Sequence, residues 1–200
     1  MVNIAVLVSG GGTNLQALID AQKNGIIKSG KITLVISNKS DAYALTRAKE
    51  NGIKTQTIIK KQCKDALEFE DKIISTLKEN KIDLIVLAGF MCILSKKFTD
   101  TFADRILNVH PSLIPSFCGE GYYGLKVHEK ALEYGVKVTG ATVHFVNEIP
   151  DGGKIIMQKA VEIQDGDTAE ILQKRVMENA EWIILPLSVE KVAKSLKEQL

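Results

Sequence analysis

Short apolar runs alternate with amphipathic segments along the first half of the chain. The runs are rich in Val, Ile and Leu and are bounded by Gly, Ser or Asn, which is typical of strands buried on both faces. We predict four such strands: Ile4–Val8, Lys31–Ser37, Lys54–Ile59 and Ile82–Ala88. Between them, apolar residues recur at helical spacing and predict three helices: from about Leu15 to Gly25, Asp41–Asn51 and Cys63–Asn80.

The second half starts in the same way and then changes pattern. A short helix from Ser95 to about Phe102, the strand Arg105–Leu107 leading to Asn108, and the helix Leu125–Tyr134 are predicted first. Two β-like runs joined by a turn at 148–153 then indicate a hairpin: Lys137–Asn147 and Lys154–Ile163. A last helical region begins near Asp167 or Thr168, and we predict that it breaks at Pro186.

Strands that alternate with helices predict an α/β fold with a doubly wound, mostly parallel sheet. The N-terminal part is a nucleotide-binding half, and the hairpin adds a C-terminal antiparallel extension. At 200 residues the chain is most simply one domain. We expect a phosphate-binding half over about 1–100 and a second half over about 101–200.

Composition narrows the class of protein. Net charge is +2 with acidic and basic residues interspersed, so nothing indicates nucleic acid. Cys63, Cys92 and Cys118 have neither a CxxC spacing nor an even number, so neither a disulfide framework nor a metal site is expected. The apolar run at Ile4–Val8 is too short for a signal peptide or a membrane span. We therefore expect a cytoplasmic protein that does not bind membranes, as a monomer or homodimer.

The stretch Asn108–Pro115 carries the first candidate chemistry. Asn108 and His110 are two residues apart at the end of a predicted strand, so their side chains point to one face. An amide donor and an imidazole on one face can stabilise an oxyanion while a proton moves nearby. The alternative is that His110 is a hydrogen-bonded core histidine.

A glycine loop, Gly10–Asn14, follows the first strand and precedes the first helix. Backbone N–H groups and a helix N-terminus converge there, which favours an anion. The spacing is not GxGxxG, the second strand is followed by Asn38 rather than by an acidic residue, and no Gly-Lys-Ser/Thr occurs. A single phosphate monoester fits better than a dinucleotide, and a plain tight turn is the alternative.

Asp151 lies in a predicted turn before two glycines, which permit close approach of a ligand. A carboxylate there could orient an imidazole or take up a proton, although Asp-Gly is also a very common turn sequence. On the preceding strand, Thr142 and His144 share one face, which could be turned to a cleft. His128 lies in an amphipathic helix, where a structural role is the default.

Three motifs together resemble the phosphoribosylglycinamide formyltransferase family, in the family's order and over essentially the whole chain. They are SGGGTNLQALID (Ser9–Asp20), LAGFMCILS (Leu87–Ser95) with NVHPSLIP (Asn108–Pro115), and VTGATVHFVNEIPDGGKII (Val138–Ile156). The resemblance implies transfer of a formyl group from 10-formyltetrahydrofolate to the amine of glycinamide ribonucleotide, without metal. It also implies that the second half of the chain is catalytic and binds folate.

The resemblance assigns roles to individual residues. Asn108, His110 and Asp151 match the family's catalytic trio. The residues implied for substrate binding are Gly11, Gly12, Thr13, Asn14, Gly89, Met91 and Glu181, with Glu181 on the ribose. The residues implied for the folate pocket are Phe90, Met91, Cys92, Ile93, Leu94, Val146, Asn147, Glu148, Ile149 and Pro150.

The chain departs from the family's usual pattern in places. Cys92 stands where Arg is usual, Lys154 where Pro usually follows Asp-Gly-Gly, and Lys126 in place of a familiar histidine. The loop 116–124 is longer than in the shorter members. These departures concern the folate tail and loop geometry, and they leave the trio intact.

Three other functions use similar residues or the same scaffold. Two of them, methionyl-tRNA formyltransferase and formyltetrahydrofolate hydrolase, use the same combination of Asn, His and Asp. Each normally carries a further domain, for which we expect no room in 200 residues. A non-catalytic sensor of a phosphate ligand is the third. It would need no catalytic trio, so we favour the enzyme.

Overall fold

The computed structural model describes residues 1–199, which form one mixed sheet with helices on both faces. Its strands are β1 (Val2–Val8), β2 (Gly30–Ser37), β3 (Lys54–Thr57), β4 (Leu84–Leu87), β5 (Ile106–His110), β6 (Val138–Phe145) and β7 (Ile155–Glu162). Its α-helices are α1 (Thr13–Lys23), α2 (Tyr43–Glu50), α3 (Ala66–Glu79), α4 (Lys96–Thr101), α5 (Leu125–Tyr134), α6 (Ala169–Val176) and α7 (Trp182–Gln199).

The sheet has the strand order β3-β2-β1-β4-β5-β6-β7. The first five strands in this order pair in parallel, whereas β5 with β6 and β6 with β7 are antiparallel. The predicted fold class, a doubly wound and mostly parallel sheet with an antiparallel extension, is therefore confirmed.

Both faces of the central strands are buried, which explains why their sequences read as continuous apolar runs. On β1, the side chains of Ile4, Val6 and Val8 pack into one hydrophobic cluster. Those of Ala5 and Leu7, which alternate with them, pack into a second cluster on the opposite face. Each fully buried Leu or Ile side chain contributes about 1.5–3 kcal/mol to folding. The two clusters together fix the sheet between its helical layers.

The strand order reverses beside β1, and this positions the loops that carry the predicted chemistry. The chain runs from β1 to β2 on one side and pairs β1 with β4 on the other. Ligands of open α/β sheets bind outside the carboxyl ends of the strands at such a switch point. The glycine loop after β1, the segment after β4 and the end of β5 all lie at this edge.

The predicted end of the third strand and the predicted start of the third helix are wrong. The third strand ends at Thr57 rather than Ile59, and a single 3₁₀ turn over Lys60–Gln62 follows. The next helix begins at Ala66 rather than Cys63, because the Asp65 carboxylate accepts the Glu68 N–H and caps it there. Periodicity alone did not distinguish this cap from the residues that precede it.

The predicted break at Pro186 is also wrong, because Pro186 lies inside α7. Its ring removes one backbone hydrogen bond and crowds the carbonyl four residues earlier, that of Trp182. The helical backbone is irregular just upstream of Trp182, where a π-helical turn over Met177–Glu181 joins α6 to α7. Such turns are frequent at functional sites, and this one carries Glu181.

Candidate active site

Asn108 and His110 lie on one face of β5 at its carboxyl end, as the spacing predicts. In the antiparallel pairing with β6, Asn108 is opposite His144 and His110 is opposite Thr142. Directly opposed residues on one face are close enough to contact. The Asn108 Nδ2 is 3.2 Å from the His144 Nε2. The structure thus brings these four predicted residues together.

Asp151 approaches the same cluster from the turn after β6. Its carboxylate oxygens lie 3.5 Å from the His110 Nδ1 and 3.6 Å from the His144 Nε2. The backbone N–H of Gly119 donates to it at 2.8 Å. Asp151 has a φ of 55°, a conformation that costs a non-glycine residue about 1–2 kcal/mol. The contacts with His110, His144 and Gly119 keep Asp151 in this conformation.

The turn around Asp151 requires its glycines for space. A Cβ on Gly153 would lie 1.7 Å from the Phe145 carbonyl oxygen, and one on Gly152 would lie 2.6 Å from the Ile149 side chain. Neither position can hold a larger residue without moving the backbone. The two glycines therefore set the close return of the chain that brings Asp151 to the histidines.

The positions of the histidine protons follow from their carbonyl partners, since a carbonyl oxygen can only accept. His110 Nε2–H donates to the Phe117 carbonyl at 2.9 Å, and His144 Nδ1–H donates to the Phe145 carbonyl at 2.7 Å. In the neutral rings, the other nitrogens carry lone pairs. The lone pair of the His110 Nδ1 faces Asp151, so a proton that enters between this ring and the carboxylate is stabilised.

The pKa of His110 lies below its usual range, because burial outweighs the Asp151 carboxylate and the Phe117 carbonyl, which both raise it. Burial would raise the pKa of Asp151, but His144, the charge of His110 and the Gly119 N–H outweigh it and lower the pKa. At pH 7 Asp151 is therefore ionised and His110 is neutral.

The same contacts orient the Asn108 amide. Because His144 donates from Nδ1, its Nε2 accepts one N–H of the Asn108 side chain. The second N–H of that amide remains available to an oxyanion. His110, by contrast, could donate to an oxyanion through Nε2 only by giving up the Phe117 carbonyl.

His128 is fully buried, and neither of its ring nitrogens has a hydrogen-bond partner among residues 1–199. Burial, and then the neighbouring His110, lower the pKa of His128 to about 4. Its ring is therefore neutral at physiological pH. This is in keeping with the structural role predicted for it.

The glycine loop leads directly into α1. Gly12 is the N-terminal cap residue with a left-handed φ of 74°, no side chain caps the helix, and its first turn holds no acidic residue. The first backbone N–H groups of α1 are therefore available to an anion. The Ser9 hydroxyl accepts the Met91 N–H at 2.9 Å, which joins this loop to the segment after β4.

Glu181 lies beside the start of α1. Its carboxylate accepts the Asn14 amide at 2.7 Å, and only 6% of the residue is exposed. Burial raises the pKa of Glu181, and the Asn14 hydrogen bond opposes this only in part. The π-helical turn thus places a carboxyl group 167 residues away in sequence against the predicted phosphate loop.

In the segment after β4, some apolar side chains are buried and others are exposed to solvent. Phe90 and Leu94 are buried, whereas Met91 and Ile93 are 54% and 74% exposed. The end of this segment is held in place by Ser95, whose N–H and hydroxyl donate to the buried Glu70. The Cys92 Sγ accepts the Asn38 amide at 3.2 Å, so the residue after β2 contacts this segment.

The loop 146–150 lies close to this segment. Val146 packs on the same hydrophobic cluster as Cys92, and the charge of Glu148 raises the pKa of Lys96, although less than Asp100 does. Ile149 is 59% exposed, and its N–H donates to the Asn147 side chain. Exposed apolar residues on adjacent loops suit a flat aromatic ligand.

Residues 2–188 match the family described as formyl transferase. The chain belongs to the formyl transferase family. It is 48% identical over 189 residues to the phosphoribosylglycinamide formyltransferase of Haemophilus influenzae, with 94% of this chain and 86% of that protein covered. It is 47% identical over 190 residues to the human trifunctional purine biosynthetic protein adenosine-3, which covers 95% of this chain and 18% of that longer protein.

Solved structures agree with this formyl transferase assignment. The crystal structure of glycinamide ribonucleotide transformylase 1 from Symbiobacterium toebii superposes with a TM-score of 0.91 at 39% identity. It covers 98% of this chain and 89% of that one. The likeness therefore extends over the sheet and both of its helical layers.

The sequence did not predict two groups that contact the site of this formyl transferase family member. One is the loop 116–124, which supplies the Phe117 carbonyl and the Gly119 N–H. The other is Arg47, which contacts the glycine loop through the Gly11 carbonyl. A backbone group cannot be recognised from the sequence. An arginine on a predicted surface helix is not specific enough to indicate a functional site.

Across the described part of the chain, no three His, Cys, Asp or Glu residues are grouped so that they could hold a metal ion. Over the same part, no helix combines the length and the apolar character that crossing a bilayer requires.

Proposed function

We propose that this protein transfers the formyl group of 10-formyltetrahydrofolate to the amine of glycinamide ribonucleotide, a step of purine biosynthesis. The observation that carries the proposal is the cluster of Asn108, His110 and Asp151 at the same edge of the sheet as two loops suited to the two substrates. One is the anion-binding loop after β1, and the other is the apolar segment after β4. Membership of the formyl transferase family supports it.

Each member of the trio has a separate task in this proposal. The attacking amine must be neutral, and the Nδ1 lone pair of His110 can take its proton. Asp151, 3.5 Å away, stabilises the resulting imidazolium until the proton passes to the leaving folate nitrogen. Asn108 donates to the formyl oxygen as it becomes an oxyanion. Holding both substrates in one cleft supplies the orientation.

The nucleotide is assigned to the start of α1. The N–H groups of Gly11, Gly12, Thr13 and Asn14 would receive the phosphate, with Gly89 and Met91 at the adjoining loop. Glu181 would bind the ribose hydroxyls, for which its position against Asn14 is suited. Its buried carboxyl could accept these hydroxyl donors in place of the solvent it has lost.

The folate is assigned to the segment Phe90–Leu94 and the loop 146–150. Exposed Met91, Ile93 and Ile149 supply apolar contact, and backbone groups of the two loops supply polar contact. The remaining parts of the proposal are a single domain over residues 1–200, a cytoplasmic location and a monomer or homodimer. One continuous sheet and three unbridged cysteines are compatible with them.

An assay with both substrates tests the proposal. We expect formation of tetrahydrofolate that depends on glycinamide ribonucleotide and persists in a metal chelator. Turnover without the nucleotide would instead indicate a hydrolase, and turnover only with a methionyl-tRNA acceptor would indicate the tRNA enzyme. Binding of the nucleotide with no turnover would indicate a sensor.

Gly12→Val should weaken binding of glycinamide ribonucleotide by at least about 10-fold and leave tetrahydrofolate binding nearly intact. A Cβ at this position would lie 2.6 Å from the Ala44 Cβ and 2.9 Å from its Cα, and a branched residue is also strained at positive φ. The loop must therefore move. Calorimetric titration of each ligand measures both affinities.

Gly10→Ala is the matched control, because a Cβ there meets nothing within 4 Å. It should leave the melting temperature unchanged, whereas Gly12→Val should lower it, since left-handed backbone alone costs about 1–2 kcal/mol. Equal loss of both ligands in Gly12→Val would mean that the loop has only a structural role.

Cys92→Arg should change the Michaelis constant for 10-formyltetrahydrofolate far more than that for the nucleotide. Cys92 is half-buried in the proposed folate pocket, and an added guanidinium would offer a cation to the ligand's carboxylates. Cys92→Ser is the control, because it keeps the size and an acceptor for Asn38. If Cys92→Arg leaves both constants unchanged, position 92 does not meet the folate.

A further inference from the structure

Arg47, on α2, is held against the glycine loop by three contacts. Its Nε donates to the Gly11 carbonyl at 2.9 Å, and its Nη1 donates to the Gln16 side chain at 3.1 Å. The guanidinium carbon lies 4.9 Å from the centre of the Tyr43 ring. A long and flexible side chain is thereby held in one orientation.

The bond to Gly11 determines where the next N–H points. In a planar trans peptide the carbonyl oxygen of one residue and the N–H of the next point in opposite directions. Arg47 holds the Gly11 carbonyl, so the Gly12 N–H points away from Arg47. The left-handed backbone of Gly12 then leads into the first turn of α1.

The same bond makes that N–H a better donor. A cation bonded to a carbonyl oxygen draws electron density along the peptide, and linked hydrogen bonds strengthen each other in this way. The Ser9–Asn14 loop itself contains no Lys or Arg. The charge of Arg47 therefore acts on an anion at this loop through the peptide that it holds.

We propose that Arg47 is a positioning residue for the substrate phosphate, which fixes and polarises the Gly11–Gly12 peptide so that its N–H binds the phosphate dianion. This inference rests on the proposed function. It predicts that Arg47 affects only ligands that carry the phosphate, although it need not touch the phosphate itself.

The test compares glycinamide ribonucleotide with its nucleoside, which lacks the phosphate, in Arg47→Gln. Gln can still donate to the Gly11 carbonyl but has no charge. We expect the Michaelis constant for the nucleotide to rise by roughly 10-fold, equivalent to about 1.4 kcal/mol. The turnover number, the constant for the folate and kcat/KM for the nucleoside should stay nearly unchanged. Inhibition by inorganic phosphate should weaken in parallel.

Lys49→Gln is the control, because it removes the same charge from an exposed position of the same helix. It should leave the Michaelis constant for the nucleotide within about twofold. A similar rise in Lys49→Gln and Arg47→Gln would reveal a general charge effect and overturn the proposal.

A purely structural role of Arg47 would give a different result. Loss of loop shape would lower kcat/KM for nucleotide and nucleoside alike, and no change with either would show that Arg47 is dispensable; both results overturn the proposal. If Arg47→Gln does not fold, Arg47→Met, which also removes the charge, must raise the Michaelis constant for the nucleotide alone. Failure of the wild-type protein to use the nucleotide would refute the proposed function instead.

Discussion

Asp151→Asn should lower turnover by about 100-fold or more while both Michaelis constants change little. The substitution keeps the size of the side chain and removes the charge that stabilises a proton on His110, 3.5 Å away. General acid–base groups contribute typically about 10²- to 10⁴-fold. Steady-state kinetics with each substrate varied in turn separates this loss from a loss of binding.

Asp165→Asn is a matched control, because Asp165 precedes Gly166 in another Asp-Gly turn and is exposed. It should leave turnover unchanged. Near-normal turnover of Asp151→Asn across the pH range would show that the Asp151 turn is a plain turn, and Asp151 would lose its catalytic assignment.

The pH profile should shift in a defined direction. Burial already lowers the pKa of His110 below its usual range, and the Asp151 carboxylate raises it in part. Removing that charge lowers the pKa further, so the acid limb of kcat/KM, where His110 gains a proton, should move to lower pH. Proton NMR titration of the His110 ring should show the same shift, and a shift to higher pH would contradict this account.

His110→Ala should lower turnover to a similar extent as Asp151→Asn. The double variant should lose much less than the product of the two single losses, because residues that act as a unit are not additive. Multiplicative losses would mean that the two groups act in separate steps.

The sequence predicts the central sheet well, for a physical reason. β1, β2 and β4 are buried on both faces, so each is an apolar run that no amphipathic helix resembles. At the exposed edge of the sheet this signal fades, and β3, with the sequence KTQT, is shorter than predicted. Pro186 misled the prediction because packing of α7 on the sheet outweighs one lost hydrogen bond.

The candidate site was predictable only in part. Asn108 and His110 share a face because of their spacing, and that local rule needs no tertiary structure. Their distances to Asp151 depend on the register of β5 against β6 and on a turn with positive φ, which no local rule determines. The turn before two glycines made Asp151 a weak candidate, and the resemblance to a known family assigned catalysis to it and ribose binding to Glu181. The contacts that orient them come from the loop 116–124 and the π-helical turn, which the sequence did not indicate.

Asn108→Ala should lower turnover by about 10²- to 10³-fold, the usual effect of removing one oxyanion donor. The Asn108 amide is oriented before any ligand binds, because one N–H is taken by the His144 Nε2 at 3.2 Å and the other remains for the formyl oxygen. The developing charge exists only in the transition state. The loss should therefore fall on kcat, with the Michaelis constants nearly unchanged.

Two further variants separate this role from proton transfer. Asn108→Asp should be at least as slow as Asn108→Ala, since a carboxylate beside an oxyanion repels it. The loss in Asn108→Ala should be nearly independent of pH, unlike that in Asp151→Asn, because the amide does not titrate. A loss below about 10-fold, or one that follows the titration of His110, would show that Asn108 only supports the imidazoles. The oxyanion would then have to be bound by His110 after release of the Phe117 carbonyl.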